Sequence, residues 1–420
     1  MMRKFFYGYW IVAAGFVTLT VSNGLAWYGF SVMNTPVAGE LGWSRSQVSL
    51  GFTFLAVAMA VISPFVGRLT DNRGPRQVLI IGTVVLSLSL LLLSRISSLW
   101  SFCLLHAGLG MASALLGPVP ISVIISNWFR RLRGTMQGIS FIGIGFGGVV
   151  FGPLIGNYLI PNFSWQGAYM VTGLLSAVIM TLVILFLVRN HPQDKGLTAY
   201  GAEATETAKE RVLEASKASG LSLKEALGMS AFWLIALTFA IYGIGLTGSI
   251  QNLVSIVTSQ EFTAGQAAFI IGIVGLFSAA GKFAFGYLSD KIDPKYNTAI
   301  AYALTALSLI TLALARSIHH LWLYAILVGL GMGGWAPNTA ALTANYFGLK
   351  QYGSILGTIH MVFMAAEAAG PALVALAFER SATYHSILII ISILCAVAIP
   401  LIIIIKKPRL PSAVENTRQT

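Results

Sequence analysis

Gly67-Arg68-Leu69-Thr70-Asp71-Asn72-Arg73-Gly74-Pro75-Arg76 follows one long apolar run, and Gly286-Tyr287-Leu288-Ser289-Asp290 follows another, 219 residues later. The echo is not isolated. Asn127-Trp128-Phe129 returns as Asn345-Tyr346-Phe347, Gly134 and Gly138 return as Gly353 and Gly357, and Gly152-Pro153 returns as Gly370-Pro371, all at shifts of 218 or 219. A constant shift over four blocks makes the chain a duplication of one unit. Each unit must accommodate six apolar stretches, because twelve runs of membrane-spanning length can be marked: 8–31, 47–67, 77–94, 99–126, 135–160, 167–188, 231–257, 266–287, 297–315, 319–345, 353–378 and 384–405. A spanning helix needs about 20 apolar residues, whereas strands of an outer-membrane barrel run to about ten with alternating polarity. The expectation is an all-α membrane protein of twelve transmembrane helices in two pseudo-symmetric halves, 1–188 and 231–405. A cytoplasmic linker over 189–230 joins them, and a tail covers 406–420.

Composition agrees. Of 420 residues, 56% are hydrophobic and 10% charged, against roughly a quarter charged in soluble domains, and the mean hydropathy is +0.79. A net charge of +12 would suggest nucleic acid in a soluble protein. Here 21 of the 26 Lys and Arg fall on the loops that share a side with both termini, and four fall opposite. That bias sets orientation, with termini and linker expected in the cytoplasm; nucleic acid is excluded as a partner. Cys103 and Cys395 lie apart in apolar runs, which excludes a disulfide scaffold or zinc cluster. The first run, with Arg3 and Lys4 before it, is too long for a signal peptide and lacks a cleavage site. In the linker, Arg189 to Gly196 reads as turns. The alternating charges Glu203, Glu206, Lys209, Glu210, Arg211, Glu214 and Lys217 read as a solvated helix, and Ser222 to Glu225 as a capping box.

Two G-x-G-x-x-G matches, Gly143/Gly145/Gly148 and Gly329/Gly331/Gly334, follow no strand and read as helix-packing glycines. No H-E-x-x-H or serine-hydrolase motif occurs, so no enzyme, cofactor or metal site is expected. Parallel repeats of this kind are a transporter architecture, with substrate near the midplane.

The decamer from Gly67 to Arg76 resembles the signature that follows helix two in the major facilitator superfamily, with Asn72 at one of its basic positions; the second copy is degenerate in its glycine. Gly148-x-x-x-Gly152-Pro153-x-x-Gly156 is similar to that family's helix-five antiporter motif. Tyr7-Gly8-Tyr9-Trp10 and Gly42-Trp43-Ser44-Arg45 resemble bacterial monocarboxylate porters and oxalate/formate antiporters. The resemblance implies the major facilitator fold in a bacterial cytoplasmic membrane and a monomer that moves a small organic anion with protons or a counter-anion. An amphipathic-drug exporter of the same superfamily is the alternative. It also implies a cytoplasmic gate of Gly67, Asp71, Arg73, Gly74, Arg76 and Asp290, in which the Asp71 carboxylate pairs with Arg73, Arg76 or Arg133; the alternative is a static surface bridge worth under about 1 kcal/mol.

Ionisable groups at membrane depth cost about 2.5 kcal/mol or more and mark cavities or partners. Lys282 lies eight residues before Asp290, about 12 Å inward, where the related carriers typically hold a carboxylate-binding arginine. His360 lies at nearly the same depth and Glu367 roughly 10 Å beyond. Lys282 and His360 are candidate substrate contacts, with Glu367 and His360 as proton-coupling candidates. A structural Lys282–Glu367 pair and a helix-contact role for His360 stay open. Trp27, Tyr28, Trp335 and Asn338 are candidate cavity walls, although membrane aromatics also serve as packing and interface belts. His106 is expected at the periphery. Pro153 and Pro371 are expected to bend helices five and eleven alike.

Substituting Asp71→Asn is expected to slow transport while leaving membrane insertion normal. Wild-type transport rates in a normally inserted variant would contradict the gate.

Overall fold

The structure, a computed structural model, describes residues 6–202, 220–381 and 383–408. Among the described residues the regular structure is helical, and β pairing is limited to two isolated bridges. Ten helical stretches are long and apolar enough to cross a membrane. One of them, Arg133–Phe186, has 54 residues and would run to about 80 Å unbroken. That exceeds twice the roughly 30 Å hydrocarbon layer. It breaks at Ser164, whose φ of 59° and ψ of 176° are not helical, and so makes two spans. A further span is Ile318–Gly333 continued by Trp335–Phe347.

Twelve spans result. They are α1 (Gly8–Leu41), α2 (Arg45–Arg73), α3 (Pro75–Leu93), α4 (Leu99–Trp128), α5 (133–163) and α6 (165–186). After the linker come α7 (Ser230–Gln251 with Leu253–Ser259), α8 (Ala264–Ser289), α9 (Pro294–Ala313), α10 (318–347), α11 (Tyr352–Ser381) and α12 (His385–Ile403). The expected runs are all present, most of them extended by a few residues and α1 by ten. The charged stretch 203–217 lies outside the described residues. Before it, Pro192–Lys195 forms a single 3₁₀ turn closed by Gly196 at φ 64°. After it, Ser222 caps Leu223–Leu227 with Glu225 in a reciprocal box, as the sequence predicts. The Ser222 backbone N–H and hydroxyl hold the Glu225 carboxyl below the usual carboxylate range.

The chain divides into two compact units, Met1–Ala204 and Thr205–Thr420. Within each, the duplication reappears as chemistry. Gly42 and Glu261, 219 apart, both turn at φ 67° before the caps of α2 and α8. Those caps are Ser44 with Gln47 and Thr263 with Gln266, each a reciprocal box. Pro75 and Pro294 open α3 and α9 at the first turn, where a missing N–H costs nothing. α4 and α10 both restart just before Pro118 and Pro337. In lipid, helices gain by close contact rather than by burying apolar surface, so small residues mark the crossings. A Cβ on Gly110 of α4 would strike the Leu55 carbonyl of α2, and one on Gly329 of α10 would stand 2.7 Å from the Val274 carbonyl of α8. Both glycines and both carbonyl partners are 219 apart.

Prolines have unequal effects. Pro153 ends the regular turns of α5, and Leu154–Leu159 continues as a π-helix. Pro371 sits within an unbroken α11; lacking an N–H, it leaves the Glu367 carbonyl four residues back without its helical donor. Thr247 of α7 supplies one, its hydroxyl reaching that oxygen at 2.7 Å. Asn252 Nδ2 donates to the Pro371 carbonyl at 3.2 Å, and Gly248 and Gly370 bring the two backbones together.

Two expectations follow from these contacts. Gly110→Ala should lower thermal stability in detergent by about 1–3 kcal/mol through overpacking, whereas Gly145→Ala, with open space around it, should not. Thr247→Val should destabilise by about 1–3 kcal/mol, the cost of an orphaned buried carbonyl, but should be near neutral in a Pro371→Ala background. Equal losses in both backgrounds would refute this pairing.

Candidate functional site

The second unit contains the unusual polar side chains. Lys282 stands on α8, where Gly281 packs so closely that its Cβ would lie 2.5 Å from the Leu330 carbonyl of α10. Gly333, one turn further along α10, packs against the same Gly281–Lys282 backbone. This backbone-to-backbone crossing fixes where the lysine stem starts. The side chain is 2% exposed. Its ammonium donates to Ser278 Oγ, one turn earlier, at 2.6 Å. An ammonium has three donors, and no carboxylate bridges to it among the described residues. The Lys282–Glu367 pair left open by the sequence is therefore not formed. Glu367 is half-buried on α11, its backbone fixed by Thr247 as above.

His360 is 3% exposed, and neither ring nitrogen has a hydrogen-bond partner. Its ring stacks on Trp335 of α10 at 5.3 Å and 17°. Trp335 stacks in turn on Phe363 at 5.0 Å and 13°. One turn of α11 carries both His360 and Phe363, so the half-buried indole lies across that turn. Asn338 is held elsewhere: fully buried, its Oδ1 accepts from Asn297 Nδ2 of α9 at 2.7 Å. That pair lies beside Ser289 at the end of α8, to which Asn297 also donates at 2.8 Å. Thus Trp335 and His360 are brought together, and Asn338 belongs to a separate amide cluster.

In the first unit, Trp27 and Tyr28 occupy a π-helical turn, Gly24–Tyr28, within α1. Wide turns of this kind recur at functional sites, and nothing in local composition announces this one. Trp27 meets Phe52 edge-on at 5.2 Å, and its indole Nε1 is buried without a partner. The Tyr28 ring lies over Gly148 of α5, where no side chain could fit, and remains 40% exposed. His106 corrects the expectation of a peripheral residue. It is fully buried, its Nδ1 bonded to the Phe102 carbonyl at 2.8 Å, with Phe30 and Phe102 packed on the ring. The face of α4 that carries His106 is turned into the unit, which hydropathy alone does not indicate.

At the α2–α3 connection, Gly74 adopts φ 81°, a conformation that favours glycine. Arg76 donates its backbone N–H to Asn190 Oδ1 at 2.9 Å and a guanidinium N–H to the Leu185 carbonyl at 3.2 Å. Asn127 donates to the Asn190 carbonyl at 3.1 Å, and Trp128 Nε1 to the Arg189 carbonyl at 2.9 Å. Asn190 is therefore a hub that the sequence reading missed, and it explains why Asn127-Trp128 belongs to the repeat. In the second copy, Lys407 donates to Asn345 Oδ1 at 2.7 Å. Gly67 is buried, Asp71 and Asp290 are half-buried, and Arg73 is exposed. Glu40 was also missed: it accepts from Trp165 Nε1 at 2.8 Å and Gln166 Nε2 at 2.6 Å, joining the end of α1 to the start of α6.

The sequence model of the Major Facilitator Superfamily matches residues 16–336 and 260–420. The chain is 22% identical over 364 residues to the MFS-type transporter YhjX of Escherichia coli K12, covering 84% of each. It is 26% identical over 302 residues to the multidrug resistance protein MdtG of Salmonella typhi, covering 71% of this chain and 70% of that one. The E. coli fucose:proton symporter FucP superposes with a TM-score of 0.70 at 15% identity, over 93% of this chain and 97% of that one. The family model spans nearly the whole chain, and the fold matches that of the symporter over nearly its full length. The chain thus belongs to the major facilitator superfamily and is a multi-pass membrane transporter, not an enzyme.

Proposed function

We propose that this transporter moves a small organic anion, a monocarboxylate first of all, by alternating access across a bacterial cytoplasmic membrane, with both termini in the cytoplasm. One observation carries the reading: Lys282 is buried with a single neutral partner, Ser278. A buried charge is retained where something pairs with it. A carboxylate supplies the missing charge and up to four acceptor sites. His360, with two unpartnered ring nitrogens beside the Trp335 face, adds a hydrogen bond to the same ligand or takes up a coupled proton. Lysine, as a point charge without a bidentate fork, suits a small carboxylate held by one oxygen.

Coupling is set by voltage. Bringing a monovalent anion inward costs about 2.3 kcal/mol per 100 mV, so accumulation needs a proton or an exchanged anion. Glu367 and His360 are the titratable groups available, and the protein works as a monomer. Movement between inward- and outward-open states would be gated at Asp71 and its counterpart Asp290.

A second reading, efflux of an amphipathic drug or metabolite, draws on the relatedness to MdtG and on an apolar groove of about 410 Å³ lined by Tyr9, Phe16, Met136 and Ile139. That groove offers no charge to an anion, whereas Lys282 does.

Reconstituted protein should take up labelled lactate, pyruvate, oxalate or formate. Lys282→Ala should lower that uptake at least about tenfold, as loss of a charged hydrogen bond does, and Lys282→Arg should retain it. Normal carboxylate uptake by the alanine variant would overturn the anchor. Ethidium extrusion without any carboxylate uptake would favour the second reading.

A further inference from the structure

Where α3 begins and α6 ends, the first unit holds two arginines that converge on a single acceptor. Arg76 stands in the first turn of α3, and Arg189 lies just beyond α6. The Arg76 guanidinium donates to the Leu185 carbonyl at 3.2 Å, and Arg189 donates to the same oxygen at 2.9 Å. The two nitrogens are therefore no more than about 6 Å apart. Both backbones are held in place as well. Asn190 accepts the Arg76 backbone N–H, and Trp128 Nε1 donates to the Arg189 carbonyl.

Helix capping does not account for two charges here. The last carbonyls of a helix carry about half a negative charge, and the first turn of the neighbouring α3 carries the opposite half. These two ends offset each other, which leaves both guanidinium charges uncompensated. Each guanidinium has five N–H donors. Together the pair form three bonds, two to Leu185 and one from Arg189 to the Val188 carbonyl at 2.8 Å. Arg76 Nε is among the donors left without a partner. No carboxylate pairs with either arginine among the described residues; Asp194, the acid nearest Arg189 in sequence, accepts the His191 backbone N–H. Like charges this close repel unless an anion stands between them.

The pair stands over a lipid-facing surface. Arg76, Ile80, Val84 and Leu88 recur every four residues and so share one face of α3, and the three apolar side chains are exposed. On α6, Val178, Leu182 and Leu185 share a face in the same way and are exposed too. The two helices run antiparallel, joined by Ser87 and Ser176 at 2.9 Å and by Arg76 and Leu185 at their ends. Ile80 is thus level with Leu182, and Val84 with Val178.

We propose that Arg76 and Arg189 bind the phosphodiester of an anionic membrane lipid, whose acyl chains lie along the exposed faces of α3 and α6. A phosphodiester brings one negative charge and two free oxygens, which suit the planar forks of two guanidinium groups. The quaternary ammonium of a zwitterionic lipid would be repelled by the same pair. Basic pockets between spanning helices on the cytoplasmic side bind such headgroups, and this end is the one proposed above to face the cytoplasm. The inference holds whatever the transported cargo.

Two measurements test it. Wild-type protein is reconstituted in phosphatidylcholine vesicles that carry a minor fraction of phosphatidylglycerol with a photoactivatable diazirine near its glycerol. Cross-links are expected to concentrate on residues 76–84 and 178–189, several-fold above those from phosphatidylcholine labelled in the same way. Equal labelling by the two lipids would overturn the site. In native mass spectrometry of the full chain, Arg76→Gln/Arg189→Gln is expected to weaken phosphatidylglycerol binding about tenfold or more, at about 1 kcal/mol per arginine. Lys295→Gln should bind as the wild type does; Lys295 is the counterpart of Arg76 in the second unit and lies over the Tyr296 ring. Undiminished binding by the double variant, or an equal loss in Lys295→Gln, would overturn the site. Inorganic phosphate should not displace the lipid; displacement would assign the pair to a soluble phosphate and overturn the lipid assignment.

Discussion

Inside a bilayer a polar group that lacks a partner finds no water to replace it, and the whole molecule is arranged around that shortage. Backbone groups meet it by forming helices. Where a proline breaks the pattern at residue 371, a threonine from the next helix restores the missing donor to Glu367. Buried amides meet it by pairing, as Asn297 and Asn338 do. Serine and threonine hydroxyls mostly turn back onto their own helix, as Ser63 does to Met59 and Thr83 to Leu79. Against that pairing, Lys282, whose ammonium has one neutral partner, and His360, whose ring nitrogens have none, stand out. Their unmet capacity is what makes them readable as places for a ligand and a proton.

Duplication gave both units the same scaffold without the same interior. Caps, first-turn prolines and the glycine–carbonyl crossings recur 219 residues apart because they determine how helices start and touch. The interior has diverged. The position equivalent to Lys282 is Ser63, satisfied within its own helix. The position equivalent to Glu367 is Gly148, whose bare backbone accommodates the Tyr28 ring. The buried lysine and the intramembrane carboxylate thus lie in the second unit, while the first offers aromatic surface and a π-helical turn.

Much of the fold was legible in the sequence because hydropathy and repeat spacing are carried by many residues at once. Twelve spans, the duplication and the Ser222 cap all follow from such patterns. The break at Ser164 and the π-helical turns at residues 24–28 and 154–159 do not, since each depends on a backbone adjustment made against a neighbouring helix. The depth of His106 was misread for a related reason: position along a hydrophobic run does not tell which face is buried. For the site, Lys282, His360 and Glu367 were conspicuous as rare ionisable residues. Their partners were not. Ser278 looks like any helix serine until its hydroxyl is seen under the ammonium, and Asn190 lies in a loop whose polarity gave no sign of three clasped segments.

The central claim is that a substrate carboxylate supplies the partner that Lys282 lacks. Solid-state NMR can read this contact directly, by dipolar dephasing between the ¹³C-carboxyl carbon of bound lactate and ¹⁵Nζ-labelled lysine in proteoliposomes. A charge-assisted contact places those nuclei within about 4 Å, so strong dephasing is predicted for the wild-type protein and none for Lys282→Ala. Bound lactate that shows no dephasing in the wild-type protein would contradict the account.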